Sequence, residues 1–143
     1  TRPVGGILGG KPSETQIDPL LRDKSVLVVD DEEIIRQTVH DVLSRYGCRV
    51  ELAREGHEAI AMIQRRSYDL VISDIRMPGL DGYSIFAEVK KIRPDCPVIF
   101  MTGFGYDPTH SIVRATPEGL AAVLYKPFKV NELLAGVRGA VTA

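Results

Sequence analysis

An α/β sandwich, one five-stranded parallel sheet between two layers of helix, is the fold that this chain of 143 residues predicts. Two observations carry it. Four short apolar runs, VLVV (26–29), LVIS (70–73), VIFM (98–101) and AVLY (122–125), are continuous, as strands buried on both faces are. Between them lie amphipathic stretches with a helical period. Strand and helix alternate five times, a (βα)5 pattern that implies right-handed crossovers and helices on both faces of the sheet.

Residues 1–22 stand apart from this pattern. TRPVGGILGGKPSETQIDPLL carries two Gly-Gly pairs, three prolines and no sustained period, so 1–22 is expected to be linker and 23–143 the folded domain. Gly5 to Lys11 fits GxxxxGK, most of a phosphate-binding loop. No strand precedes it, and Pro12 occupies the place of the magnesium-binding Ser or Thr and breaks the helix that should follow. After the first run, Ile35, Val39, Val42, Leu43 and Tyr46 share one helical face, and Gly47 suits the C-cap. CRVELA follows as a weaker second strand. Ala59, Ile60 and Ile63 mark the next helix, Ile85, Val89 and Ile92 a further one, and Val130, Leu133, Leu134, Val137 and Val141 the last.

Composition sets bounds without naming a function. The apolar share of 44%, the charged share of 26% and a net charge of −1 are those of an ordinary globular domain. They give no general affinity for nucleic acid or an anionic membrane. No apolar run is long enough to span a bilayer, and the first residues do not read as a signal-peptide pattern. Cys48 and Cys96 lack zinc-ligand or CxxC spacing and are expected to be reduced thiols of a cytoplasmic protein. His40, His57 and His110 form no cluster and are expected on surfaces or helix faces.

In a sheet of this kind ligands bind beyond the carboxyl ends of the strands. Asp30-Asp31 follow the first run, Asp74 the third, Thr102 the fourth and Lys126 the fifth, while the second ends in Ala53-Arg54. The silent strand belongs at the outer edge, which gives the flavodoxin-like order 2-1-3-4-5 and places the switch point among the carboxylates. Each residue also has a plain structural role open to it. Asp30 with Glu33 could form a capping box, Asp74 a turn, Thr102 a strand end and Lys126 a solvated end. Together they favour a site, because three crowded carboxylates repel unless a cation neutralises them. Mg2+ suits a few carboxylates plus water and a phosphate oxygen, so the set suggests magnesium and a phosphoryl group, with Lys126 and Thr102 as donors.

Val28-Val29-Asp30-Asp31-Glu32, Ser73-Asp74-Ile75-Arg76-Met77-Pro78-Gly79-Leu80-Asp81-Gly82, Met101-Thr102-Gly103 and Tyr125-Lys126-Pro127-Phe128 resemble the receiver domains of bacterial two-component response regulators. The resemblance runs from about Ser25 to the C-terminus. It implies that Asp74 is the phosphoacceptor and that a phosphohistidine on a sensor histidine kinase or histidine phosphotransfer protein is the donor. Mg2+, with Mn2+ as a substitute, would be held by Asp31, Asp74, the backbone carbonyl of Arg76 and, largely through water, Asp30. Lys126 and Thr102 would contact the phosphoryl group, the Lys126-Pro127 bond would be cis, Pro78, Gly79 and Gly82 would shape the loop after Asp74, and Asp81 would cap a helix. The same resemblance implies no direct contact with nucleic acid or membrane, and a homodimer that forms on phosphorylation as one mode of output.

Two departures from the family pattern bear on how a signal leaves the site. Val123 stands where the family has an aromatic residue, and Tyr125 is expected on the opposite face or at another depth. The segment from Thr102 to Lys126 is about two residues long for the family and carries Pro108 and Pro117, which predicts a short or irregular fourth helix across 110–120. Arg76 and Phe104 border the expected path of hydrolytic water, where Phe104 would shield the acyl phosphate. The chain ends soon after its last helix, which favours the receiver module of a hybrid sensor kinase over a stand-alone regulator. The alternatives are a magnesium-dependent phosphohydrolase with an aspartyl nucleophile and a degenerate receiver serving as a binding module. A hydrolase of that kind would carry a DxD pair and a cap insertion, and this chain has neither.

Overall fold

The structure is a computed structural model that describes residues 17–77, 79–103 and 119–142. In chain order its elements are β1 (Ser25–Val29), α1 (Glu33–Arg45), β2 (Arg49–Ala53), α2 (Gly56–Arg65), β3 (Leu70–Asp74), α3 (Gly82–Ile92), β4 (Val98–Thr102), β5 (Ala122–Tyr125) and α4 (Val130–Thr142). Every strand pair is parallel and the order is β2-β1-β3-β4-β5, with the silent second strand at one edge as its sequence required. The fourth helix expected across 110–120 lies outside the described residues, as do Pro78 and Phe104.

Strand alternation divides the apolar residues between two cores. Val26, Val28, Leu70, Ile72, Ile99 and Met101 face α1 and α4, where Val39, Leu43, Leu133 and Val137 close over them. Leu27, Val29, Val71, Val98 and Phe100 face α2 and α3, against Ala59, Ile63, Ile85 and Val89. The central strands β3 and β4 are buried throughout, which is why both read as unbroken apolar runs. α1 ends at Tyr46, and Gly47 follows with φ +108°, the left-handed conformation that a helix-terminating glycine supplies.

The last residues of the expected linker touch the folded domain. Residues 18–22 form a turn that packs on the domain: the Asp18 amide donates to the Tyr46 carbonyl at 3.0 Å, and Arg138 of α4 donates to Asp18 Oδ2 at 2.6 Å. Leu21 is fully buried in the α1/α4 core. An apolar pair, Leu20-Leu21, inside a Gly/Pro-rich stretch is too short to show a period, which hides this anchor in the sequence. Leu21→Ala is expected to lower stability by about 2 kcal/mol, the low end for such truncations because the anchor lies at the edge of the core. Chemical denaturation checks this, and an unchanged midpoint would show that the turn is ornamental.

Candidate functional site

The parallel register sets the site. Val29 pairs with Ser73, so the residues one step further along, Asp30 and Asp74, emerge side by side from the two central strands. Asp31 follows directly, and carboxylate oxygens of Asp30, Asp31 and Asp74 all lie within 4.8 Å of one another. Asp74 is in register with Met101 and Thr102 with Tyr125, which brings Thr102 and Lys126 to the same edge one strand and two strands over. The Lys126 amide donates to the Thr102 carbonyl at 2.7 Å, tying the last two strand ends together, and Lys126-Pro127 is cis.

Lys126 turns inward. Its ammonium donates to Asp30 Oδ2 at 2.8 Å and to Glu32 Oε1 at 3.3 Å, and lies 3.6 Å from Asp74 Oδ2. Asp30 is wholly buried and also accepts from the Glu32 amide at 2.8 Å, while Arg36 of α1 donates to the Asp30 carbonyl at 2.8 Å. The capping box open to Asp30 and Glu33 is therefore not formed: Glu32 holds the N-cap position of α1 and makes no side-chain cap. Asp81 caps α3 as expected, accepting from the Ser84 amide at 3.0 Å. Thr102 is buried, and the Arg76 side chain points to solvent while its backbone amide donates to the Asp74 carboxylate.

Crowding and burial set the charges. Burial pushes the Asp74 carboxyl up to about 6, and Asp30 and Asp31 add to the shift against the opposing pull of Lys126 and the Arg76 amide. Burial also raises Asp30 above its ordinary range, more than Lys126 and the Glu32 amide restore. At Lys126 burial works against the ammonium, but the hydrogen bond and charge of Asp30 outweigh it and hold the lysine above its usual value. A carboxyl poised near neutrality in a cleft is what a tuned reactive group looks like. The two cysteines are different: both are buried free thiols, pushed up to about 11 by burial, and neither faces this edge. His40 pairs with Asp41 on α1 and His57 is exposed on α2, so neither joins the site; His110 lies outside the described residues.

Three features of the site go beyond what the sequence shows. Glu32 belongs to the acidic motif, but nothing in one sequence shows that it reaches Lys126. Gly82 is not a loop residue but the first residue of α3, where a Cβ would lie 2.7 Å from the Asp74 carbonyl oxygen and 2.9 Å from Ile75 Cα. Gly56 opens α2 against Leu80, with a Cβ meeting Leu80 Cβ at 2.5 Å and its carbonyl oxygen at 2.7 Å. Backbone cannot yield cheaply at such distances, so Gly82→Ala is expected to cost about 2–3 kcal/mol and to displace Asp74. Thermal unfolding and magnesium titration of the variant check both effects. Of the two placements open to Tyr125, the structure shows the difference in depth: two residues from Val123, it shares that face of β5 by alternation, and it is 51% exposed while Val123 packs toward the α2/α3 core.

Comparison with known proteins agrees with this geometry. The family model described as the response regulator receiver domain matches residues 26–138. The transcriptional regulatory protein GlrR of Escherichia coli is 35% identical over 116 residues, which cover 81% of this chain and 26% of that protein. The DNA-binding transcriptional regulator NtrC of Salmonella typhimurium is 34% identical over 117 residues, 82% of this chain and 24% of its own length. This chain thus spans about a quarter of either relative. A response regulator receiver domain protein from Clostridium thermocellum superposes with a TM-score of 0.75 at 33% identity, covering 83% of this chain and 94% of that one. These relatives are regulators, which removes the support for placing the domain in a hybrid sensor kinase. Among the described residues no helix is long and apolar enough to cross a membrane. The chain belongs to the response regulator receiver domain family.

Proposed function

We propose that this domain accepts a phosphoryl group on Asp74 from a phosphohistidine of a sensor histidine kinase or histidine phosphotransfer protein, and that the phosphorylated state signals by binding. One observation carries the reading: the buried Asp74 carboxylate sits beside two further carboxylates, with the Lys126 ammonium 3.6 Å away. A carboxylate oxygen of Asp74 would attack phosphorus in line. The new O–P bond forms as the N–P bond to imidazole breaks, and the nitrogen keeps the electron pair and takes up a proton. Lys126 would meet the phosphoryl oxygens, with the Thr102 hydroxyl as a second donor, and positioning by the rigid strand ends would supply the rest.

The donor set fits a hard divalent cation. Three carboxylates converge, of which Asp31 is exposed, leaving room for the water that Mg2+ retains. Asp30, Asp31 and Asp74 would hold it, with the Arg76 carbonyl, and Mn2+ would substitute. When bound, the metal supplies positive charge against the transferring phosphoryl group. Control of an output domain, cytoplasmic location and phosphorylation-dependent pairing of two copies belong to the same proposal.

Incubation with acetyl phosphate and Mg2+, followed by mass-spectrometric mapping, tests the reading. A single labile phosphoryl on Asp74 is the expected product. Label on another residue, or none, would remove the central claim.

A further inference from the structure

Three carboxylates surround one ammonium, and only two of them belong to the acidic cluster. Lys126 donates to Asp30 at 2.8 Å and to Glu32 at 3.3 Å, while Asp74 stands 3.6 Å away. The Glu32 side chain is 63% exposed and that of Asp74 only 9%, so the lysine is stretched between the rim and the floor of the site. An ammonium has three protons to donate. Two are committed to Asp30 and Glu32, and the gap to Asp74 is wider than a hydrogen bond. A phosphoryl oxygen on Asp74 competes for the ammonium, and the longer of its two present bonds, to Glu32 at 3.3 Å, is the weaker hold. Asp30 flanks Asp74 at the same strand level, whereas Glu32 lies at the rim. Glu32 is itself well placed to hold on, because its amide is fixed to Asp30 Oδ1 at 2.8 Å.

We propose that Glu32 is a positioning residue that seats Lys126 at the rim in the resting domain and must release it when Asp74 is phosphorylated, so that Glu32 restrains the rate of phosphorylation. The proposal rests on the reading of Asp74 as acceptor. An exposed carboxylate holds an ammonium weakly, so the restraint amounts to a few-fold in rate and not to orders of magnitude.

Two variants separate position from charge. Glu32→Gln removes the charge, whereas Glu32→Asp keeps it and withdraws it by one methylene. Labelling of Asp74 by acetyl phosphate is followed in each, and the NMR shift of the Lys126 ammonium is recorded in the metal-free protein. Both variants are expected to label about two- to fivefold faster than wild type and to move the Lys126 resonance. Rates that stay the same or fall in both variants, or an unmoved resonance, overturn the proposal. So does a Glu32→Asp protein that labels like wild type beside a faster Glu32→Gln, since repulsion of the anionic donor by rim charge then explains the gain. Failure of wild type to label at Asp74 overturns the acceptor reading itself, whereas normal wild-type labelling beside unaltered variants overturns the role of Glu32 alone.

Discussion

Asp74→Asn is expected to abolish phosphoryl incorporation and, in the metal-free domain at neutral pH, to raise stability by about 2–3 kcal/mol. The two effects share a cause. Burial first, then the charges of Asp30 and Asp31, push the Asp74 carboxyl to about 6, from an ordinary value of 3.8 that the unfolded chain retains. Across that interval the folded state binds the proton and the unfolded state does not, so stability falls as pH rises from about 4 to about 6. The penalty is fully present above that window and absent below it. Asparagine never ionises, so its advantage vanishes near pH 3.5 (roughly the foot of the window) and is complete by about pH 7. Denaturant titrations at the two pH values check this, and equal differences at both would refute it. Added Mg2+ should reverse the order, because wild type gains stability by mass action and the asparagine variant, short of one ligand, gains less.

Lys126→Ala is expected to destabilise the metal-free domain by about 3–5 kcal/mol, the cost of leaving a buried charge without its partner. The Lys126 side chain is 11% exposed and that of Asp30 fully buried, so neither solvent nor another cation among the described contacts replaces the 2.8 Å pair. Asp30 escapes part of the cost by taking up a proton, which burial already favours, so the loss grows with pH. Mg2+ should recover much of it. Phosphorylation by acetyl phosphate should fall by about a hundredfold even in saturating Mg2+, as expected when one donor to a developing phosphoryl charge is removed. Thermal unfolding with and without Mg2+ separates the structural loss from the chemical one. A variant as stable as wild type in both conditions would show that the lysine is dispensable to the resting site.

The sheet was legible because burial on both faces leaves an unmistakable mark: β3 and β4 hold no exposed position, and their sequences hold no charge before Asp74 and Thr102. Strand order followed from chemistry, since Ala53-Arg54 at the end of β2 contributes nothing to a site that the other four strand ends build. The four site residues Asp30, Asp31, Asp74 and Lys126 meet because register, a long-range property, happens to be announced by where each apolar run stops. Side-chain reach is not announced in that way. Glu32 on Lys126, Arg36 on the Asp30 carbonyl and Arg138 on Asp18 depend on which rotamer spans a gap, and a lone sequence carries no trace of that. Leu21 and Gly56 were missed for a related reason: each does its work through one contact made far along the chain, with no period to advertise it.

The two crowded glycines give the rim of the site an uneven stiffness. On the side of α2 and α3, helix N-termini butt against the backbone of Asp74 and Ile75 and against the Cβ and carbonyl oxygen of Leu80. Among the described residues, a Cβ on Gly103 would meet the flexible Lys126 Cδ, at 3.8 Å. A shift of the Asp74 backbone toward α2 or α3 therefore meets atoms that cannot yield cheaply, because close-packed backbone transmits strain where mobile side chains absorb it.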